Sequence, residues 1–238
     1  MLKNIKIKSK LLILAAFTIF GLVALMLLNT RTVNNIVHLS EVKMSVEQLE
    51  AGILELRKHE KDFMLRKELK YKESFDNTIT NIEDEVQFIE DFFTQKNVET
   101  KELNAFKTIL KSYQNYFDQL VSIQKIIGLT PESGLYGSLR QSVHKVQESA
   151  KETKNFELLS KVYELRKEEK DFMLRSDLKY VDSFQSKIDT LIQSSFVPEN
   201  LKQYCQNYKN DFLALVEKET QLGLKSDLGI NGQMCNDS

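Results

Sequence analysis

Long stretches of this chain contain no residue that breaks a helix. Neither glycine nor proline occurs from Ile53 to Ile127 or from Ser138 to Val197, and all 238 residues together hold 8 Gly and 2 Pro. Average usage is roughly 7% Gly and 5% Pro, so both residues are scarce here. A β-sandwich, a barrel or a βαβ fold needs turn residues at frequent intervals. The pattern therefore predicts an all-α fold of long helices in bundles.

The few breakers mark where the helices are expected to end. Six of the eight glycines form two clusters: Gly128, Gly134 and Gly137, then Gly223, Gly229 and Gly232. Weaker breaks are predicted at 95–97 and at 194–198, with Pro198 in the first turn of a new helix. Two more are predicted at Lys67–Glu68 and Ser176–Asp177, where Ser176 is a candidate N-cap.

An internal repeat organises the chain. Residues 55–75 read ELRKHEKDFMLRKELKYKESF and residues 164–184 read ELRKEEKDFMLRSDLKYVDSF, with 16 of 21 positions identical. A second pair is GLTPESGLYGSLR at 128–140 and GLKSDLGINGQMC at 223–235. Recurring units usually stack and bury a face against their copy. The repeat therefore predicts two stacked helical modules.

Each copy of the longer motif places a glutamate on an apolar helix face. Leu56, Glu60 and Phe63 follow the i, i+4, i+7 spacing of one face, and Glu169 takes the place of Glu60 in the second copy. A buried carboxylate needs a partner. Arg57 and Arg166 each lie three residues before the glutamate, within reach on a helix. One hypothesis is therefore a structural ion pair at Glu60 and at Glu169.

The other hypothesis is a receptor for a carboxylate ligand. An arginine offers a planar fork that binds a carboxylate strongly and directionally. In this interpretation the glutamates hold the arginines ready, and neighbouring lysines and tyrosines add contacts. The candidate ligand-binding residues are Arg57, Lys61, Tyr71, Arg166, Lys170 and Tyr180.

The N-terminal segment predicts a membrane anchor. Residues 11–28 read LLILAAFTIFGLVALMLL, without a charge, which is typical of a transmembrane helix. Lysines at positions 3, 6, 8 and 10 predict that residues 1–10 are cytoplasmic. A cleaved signal peptide is the alternative, but the apolar run is long and no small-residue cleavage site follows. Residues 29–238 would then form an extracytoplasmic domain.

Several function classes lack support in the sequence. After residue 28 the chain carries 29 basic and 34 acidic residues, which gives no broad positive field for nucleic acid. Two cysteines and three scattered histidines form neither a disulfide framework nor a metal motif. No phosphate-binding loop or nucleophile elbow occurs. We therefore expect no enzyme activity, no cofactor and no metal.

The motifs resemble those of a bacterial sensor family. ELRKHEKDFMLR and ELRKEEKDFMLR look like the hallmark of the helical bimodular sensor domain of methyl-accepting chemotaxis receptors, and GLTPESGLYGSLRQSVHKVQE resembles its middle segment. The resemblance implies two stacked four-helix-bundle modules in the periplasm, anchored in the inner membrane. It also implies small organic acids as ligands, signal transduction in chemotaxis as the function, and a homodimer.

Two features of the resemblance leave alternatives open. In the family, the segment that matches GINGQM continues as a return helix, whereas here the sequence ends at Ser238, so that helix is expected to be missing. Sensor histidine kinases use the same domain, which keeps a kinase sensor as one alternative. A helical scaffold without a small-molecule ligand is another.

Overall fold

The fold is entirely helical where the structure describes it. This computed structural model describes residues 7–224 and 228–236, with side chains from Thr18 onward except those of residues 31, 32, 34, 35, 231 and 234–236. These residues form eight helices and no strand. The predicted all-α class is therefore confirmed.

The helices are long, as the scarcity of breakers predicts. Their bounds are α1 (Ile7–Arg66), α2 (Lys70–Gln95), α3 (Lys101–Ile127), α4 (Gly134–Glu152), α5 (Phe156–Arg175), α6 (Lys179–Gln193), α7 (Glu199–Leu222) and α8 (Gly229–Asn236). The breaks after α2 and α6 fall in the predicted segments 95–97 and 194–198. Pro198, however, is the N-cap residue of α7 and lies just before its first turn.

Both copies of the long motif end their helix without a glycine. Lys67 and Ser176 adopt left-handed backbone conformations, with φ of 55° and 51°. The N–H of each donates to the carbonyl of a phenylalanine four residues earlier, at 2.7 and 2.8 Å. Ser176 is thus the C-cap of α5, and the prediction of an N-cap there is wrong because a left-handed residue closes the preceding helix.

One break was not predicted from the sequence. The segment 153–155 separates α4 from α5, and Lys154 has a φ of 54°. The Asn155 side chain accepts a hydrogen bond from the Leu158 N–H at 3.1 Å. An N-cap of this kind starts a helix where no glycine or proline stops the previous one.

The described chain divides into two compact units. One unit takes in the chain up to Glu55 together with Thr78–Leu103. Its core contains Val42, Ile79, Ile82, Val86 and Ile89. At Gly52, a Cβ atom would lie 2.7 Å from Cγ1 of Ile82, so this position favours glycine.

The other unit comprises Leu56–Asn77 and the chain from Asn104 onward. Within it, α4 packs on α5 and α7, and α6 packs on the same two helices. This cyclic arrangement is a four-helix bundle. The short helix α8 packs on α7.

The internal repeat is visible in the packing of the second unit. Each repeat contributes a cluster of three buried phenylalanines: Phe63, Phe75 and Phe117, then Phe172, Phe184 and Phe212. In both clusters the first and third rings meet edge to face, with centroids 5.7 and 5.6 Å apart. The second and third rings are tilted, at 4.2 and 4.4 Å. Such pairs stabilise the core beyond their area burial.

The predicted transmembrane helix is not supported by the structure. In the part of the chain that is described, no helix is long and apolar enough to cross a membrane. The side chains of residues 11–17, and Lys3 and Lys6 of the predicted cytoplasmic tail, lie outside the described residues. The predicted single-pass location in the inner membrane, with a periplasmic body, is therefore wrong.

Candidate functional site: a cationic cleft beside the second motif

Glu169 is a buried carboxylate with three partners. Its side chain on α5 is only 1% exposed. Nη1 of Arg166 donates to both of its oxygens, at 2.8 and 2.7 Å, and the Tyr208 hydroxyl donates at 2.6 Å. Nζ of Lys170 lies 3.2 Å away. These contacts offset the cost of burying the charge.

Burial raises the pKa of the Tyr208 hydroxyl well above its usual value, and the Glu169 charge raises it further. The Tyr208 hydroxyl therefore keeps its proton at neutral pH and donates it to the carboxylate. The pair joins α5 to α7 across the bundle interior.

The first copy of the motif builds the same pair with a different cation. Glu60 is buried and accepts hydrogen bonds from the Tyr113 hydroxyl and from Nζ of Lys61, the latter at 2.9 Å. Arg57 is exposed and is not the partner of Glu60. The two copies thus share the glutamate and the tyrosine but differ in the basic residue.

The sequence motif alone does not reveal the two tyrosines. Tyr113 and Tyr208 are 95 residues apart, which is the spacing that separates Gly128 from Gly223. Aligning α3 with α7 at this same spacing, from the glycine clusters towards the N-terminus, would have matched Tyr113 with Tyr208. Their role depends on helices that are distant in sequence from the glutamates.

A cleft lies beside Glu169 in the same unit. It has a volume of about 620 Å³. We call it the Arg166 cleft; His144 lines it, and its charged lining residues are Lys67, Arg140, Arg166, Glu169 and Lys170. Among the described residues that line it, Glu169 is the only acid, and its charge is already met by Arg166. The lining is therefore strongly cationic.

The basic residues of the Arg166 cleft come from three elements. Helix α4 supplies Arg140 and α5 supplies Arg166 and Lys170, while Lys67 follows the last turn of α1. On the rim, Nη1 of Arg140 also donates to Oε1 of Glu132 at 3.1 Å, with both side chains largely exposed. An exposed pair of this kind contributes little energy and separates easily.

The first glycine cluster shapes one wall of the cleft. Gly128 has a φ of 126°, and a Cβ there would lie 2.3 Å from the Ser133 carbonyl oxygen. Nε2 of Gln124 donates to the Gly128 carbonyl at 2.9 Å. The Thr130 N–H donates to Oγ of Ser133 at 3.0 Å. These contacts hold the segment 128–131 against the cleft.

Tyr136 lines the cleft and connects it to α7. Its hydroxyl donates to Oε1 of Glu219 at 2.8 Å, and burial raises its pKa, with the Glu219 charge adding to the shift. Nζ of Lys67 lies 5.1 Å from the centre of the Tyr136 ring. Burial lowers the pKa of Lys67, and the nearby Glu219 charge partly opposes this.

The structure separates the predicted ligand-binding residues. Arg166 and Lys170 line the cleft, whereas Arg57 and Lys61 do not. Neither predicted tyrosine lines it either. Tyr71 stacks with Lys70 and Arg66, and Tyr180 stacks with Lys179 and Arg175, at 4.9 to 5.8 Å from the ring centres: these are contacts at the motif ends.

Sequence reasoning missed four residues of the cleft: Lys67, Tyr136, Arg140 and His144. Tyr136 and Arg140 lie within the repeated segment GLTPESGLYGSLR, which was a usable signal. Lys67 carried no such signal because the second copy has Ser176 in its place.

Compared with protein-family models, with curated proteins and with solved structures, the chain gives no match in any of the three. The resemblance to the helical bimodular sensor domain thus stays a prediction that rests on the quoted motifs.

Proposed function

We propose that this protein is a sensor module that binds a small organic acid in the Arg166 cleft. The observation that carries the proposal is the charge of the lining: it holds four cationic side chains and one acid, Glu169, whose charge Arg166 balances and to which Tyr208 donates a hydrogen bond. A cleft of about 620 Å³ also lies within the usual range of about 300–1,000 Å³ for small-molecule sites.

Arg166 is suited to the recognition of a carboxylate. Both of its hydrogen bonds to Glu169 come from Nη1, which leaves other N–H donors of the guanidinium for a ligand. The buried glutamate fixes the orientation of the arginine, so less side-chain freedom is lost on binding. Lys170 and Arg140 add positive charge to the same cleft.

Sensing requires that the ligand favour one helix arrangement over another. A ligand shifts an equilibrium only through a difference in its affinity for the two states. An acid that bridges Arg140 on α4 and Lys170 on α5 favours one packing of these helices. We propose that this change is read by a signalling partner of the chemotaxis type, which the motif resemblance implies.

One observation favours a second candidate function. Arg166 and Glu169 neutralise each other within the protein. A helical scaffold without a ligand would use this pair to set the register of the bundle. In a scaffold, the remaining cations of the cleft would have no function.

Calorimetric titration distinguishes the two functions. We expect heat from acetate, malate or citrate, and a weaker response to inorganic phosphate, which serves as a control for general anion binding. Replacing Arg166, whose side chain is 27% exposed, by alanine should weaken binding of the acid by roughly 2 kcal/mol or more. Lys170→Ala should weaken it less, because the Lys170 side chain is 58% exposed. Arg57→Ala, outside the cleft, should bind like the unaltered protein.

Because Arg166 also supports Glu169, Arg166→Ala can disturb the fold. Arg140→Ala keeps the buried pair intact and tests the same cleft. If none of the acids produces heat, the scaffold is favoured and the sensor proposal fails. If Arg57→Ala weakens binding as much as the cleft variants do, the site assignment fails.

A further inference from the structure

Lys67 is the cation of the Arg166 cleft that lacks an acidic partner of its own. Arg166 and Lys170 contact Glu169, and Arg140 contacts Glu132. Within the described residues, Lys67 makes no ion pair. Its Nζ instead lies over the Tyr136 ring, half-buried, and burial lowers its pKa.

Lys67 also comes from the other copy of the motif. The remaining basic residues of the cleft lie on α4 and α5, whereas Lys67 follows α1, the helix of the first copy. Its left-handed backbone and its N–H bond to the Phe63 carbonyl, at 2.7 Å, fix it to the last turn of that helix. An interaction that restrains the Lys67 side chain therefore also restrains the last turn of α1.

The ends of both motif helices lie around the same tyrosine. Ser176, the counterpart of Lys67, lines a second cavity of about 250 Å³. Tyr136 and Glu219 line this cavity too, and Tyr136 also lines the Arg166 cleft. Tyr136, whose hydroxyl donates to Glu219, thus lines both cavities and lies near the ends of both motif copies.

We propose that Lys67 completes the anion site of the Arg166 cleft and ties binding there to the end of α1, so that the two copies of the motif respond together. The inference rests on the proposed function of the cleft. Among the described residues, the Tyr136 ring and the field of Glu219 balance the Lys67 charge. A bound carboxylate supplies the missing counter-charge and draws Lys67 into a charge-assisted hydrogen bond.

The consequence is a tighter last turn of α1 when the cleft is occupied. Because Lys67 closes this turn, holding its side chain also restrains the hydrogen bond between its N–H and Phe63. Local opening of the segment Leu56–Asn77 then becomes rarer. Hydrogen exchange measures such opening directly.

Hydrogen–deuterium exchange on the full chain tests the coupling. The probes are acetate, malate and citrate as separate arms, each at saturation by calorimetry. We expect the bound acid to slow exchange in Leu56–Asn77 at least several-fold. Lys67→Met should bind the acid roughly tenfold more weakly, as expected for a lost charge-assisted contact, and should show no slowing at saturation.

Lys58→Met is the matched control, because Lys58 is an exposed lysine on α1 that does not line the cleft. It should keep both the affinity and the slowed exchange. Lys67→Arg retains the charge and should restore part of both. Circular dichroism of each variant shows whether its helices are intact.

The two proposals fail in different ways. If an acid binds but Lys67→Met matches the unaltered protein in affinity and exchange, the role of Lys67 is overturned and the cleft stands. The same holds if binding leaves exchange in Leu56–Asn77 unchanged. If no acid binds the unaltered protein, both proposals are overturned.

Discussion

Replacing Glu169 by alanine removes the acceptor of a buried pair, and Glu60→Ala provides the matched experiment in the other repeat. Both changes delete the same atoms from equivalent motif positions. They differ in what is left behind. Without Glu169, Arg166 and the Tyr208 hydroxyl lose their partner, and the Arg166 side chain is only 27% exposed.

The expected magnitudes follow from that difference. Breaking a buried ion pair by removing one partner costs about 3–5 kcal/mol. Because some water reaches Arg166, we expect the Glu169→Ala loss near the lower end, about 3 kcal/mol. For Glu60→Ala, Lys61 is 64% exposed and turns into solvent, which leaves mainly the Tyr113 hydroxyl without that acceptor. We expect a loss of about 1–2 kcal/mol there.

Urea unfolding followed by circular dichroism measures both losses in parallel. The result that supports the reasoning is a lower free energy of unfolding in Glu169→Ala than in Glu60→Ala, by about 1 kcal/mol or more. Equal losses would show that the Arg166 pair adds nothing beyond the tyrosine contact. A smaller loss at Glu169 would refute the account.

Four further predictions concern single positions. Tyr208→Phe should lower the free energy of unfolding by about 1.5–3 kcal/mol in urea titrations, because the buried carboxylate loses a donor. Gly134→Ala should lower the midpoint of thermal unfolding, because φ is 57° and the new Cβ would lie 2.5 Å from the Ile126 carbonyl oxygen. Gly21→Ala is the control: its new Cβ would have no atom within 4 Å, so the midpoint should stay unchanged or rise. Burial raises the pKa of the Cys205 thiol to about 12, so peptide mapping should find it unmodified by iodoacetamide at pH 8 until urea unfolds the chain. Because burial lowers the pKa of Lys67, the folded chain releases that proton at a lower pH than the unfolded chain. Between the two pKa values, the Lys67 contribution to the free energy of unfolding therefore rises with pH, while the affinity for malate falls. Urea titrations and calorimetry from neutral to alkaline pH should show these two trends, and Lys67→Met should abolish them.

The sequence predicted the helical class and the repeat because both depend on local patterns. Spacing of glycine and proline is read along the chain, and the breaks at 128–133 and 194–198 follow from it. Glu60 and Glu169 are on the apolar face of their helices by periodicity alone. In contrast, the break at 153–155 depends on the Asn155 cap, which periodicity does not reveal.

The membrane prediction came from the same kind of local reasoning and was wrong. An uncharged run at 11–28 is a pattern of composition, whereas the described helices contain no segment long and apolar enough for a span. Composition alone indicated a membrane span at 11–28, and the helices that the structure describes contradict that prediction.

Tertiary structure alone decided the chemistry of the site. Arg57 and Arg166 sit in nearly identical sequences, yet only Arg166 holds its glutamate and lines a cleft. Local sequence cannot make this distinction, because the cleft requires α4 and the end of α1 beside α5. Lys67 and Lys170 are far apart along the chain and line one cleft only because burial of apolar side chains packs their helices together. That packing therefore determines where the cationic side chains lie.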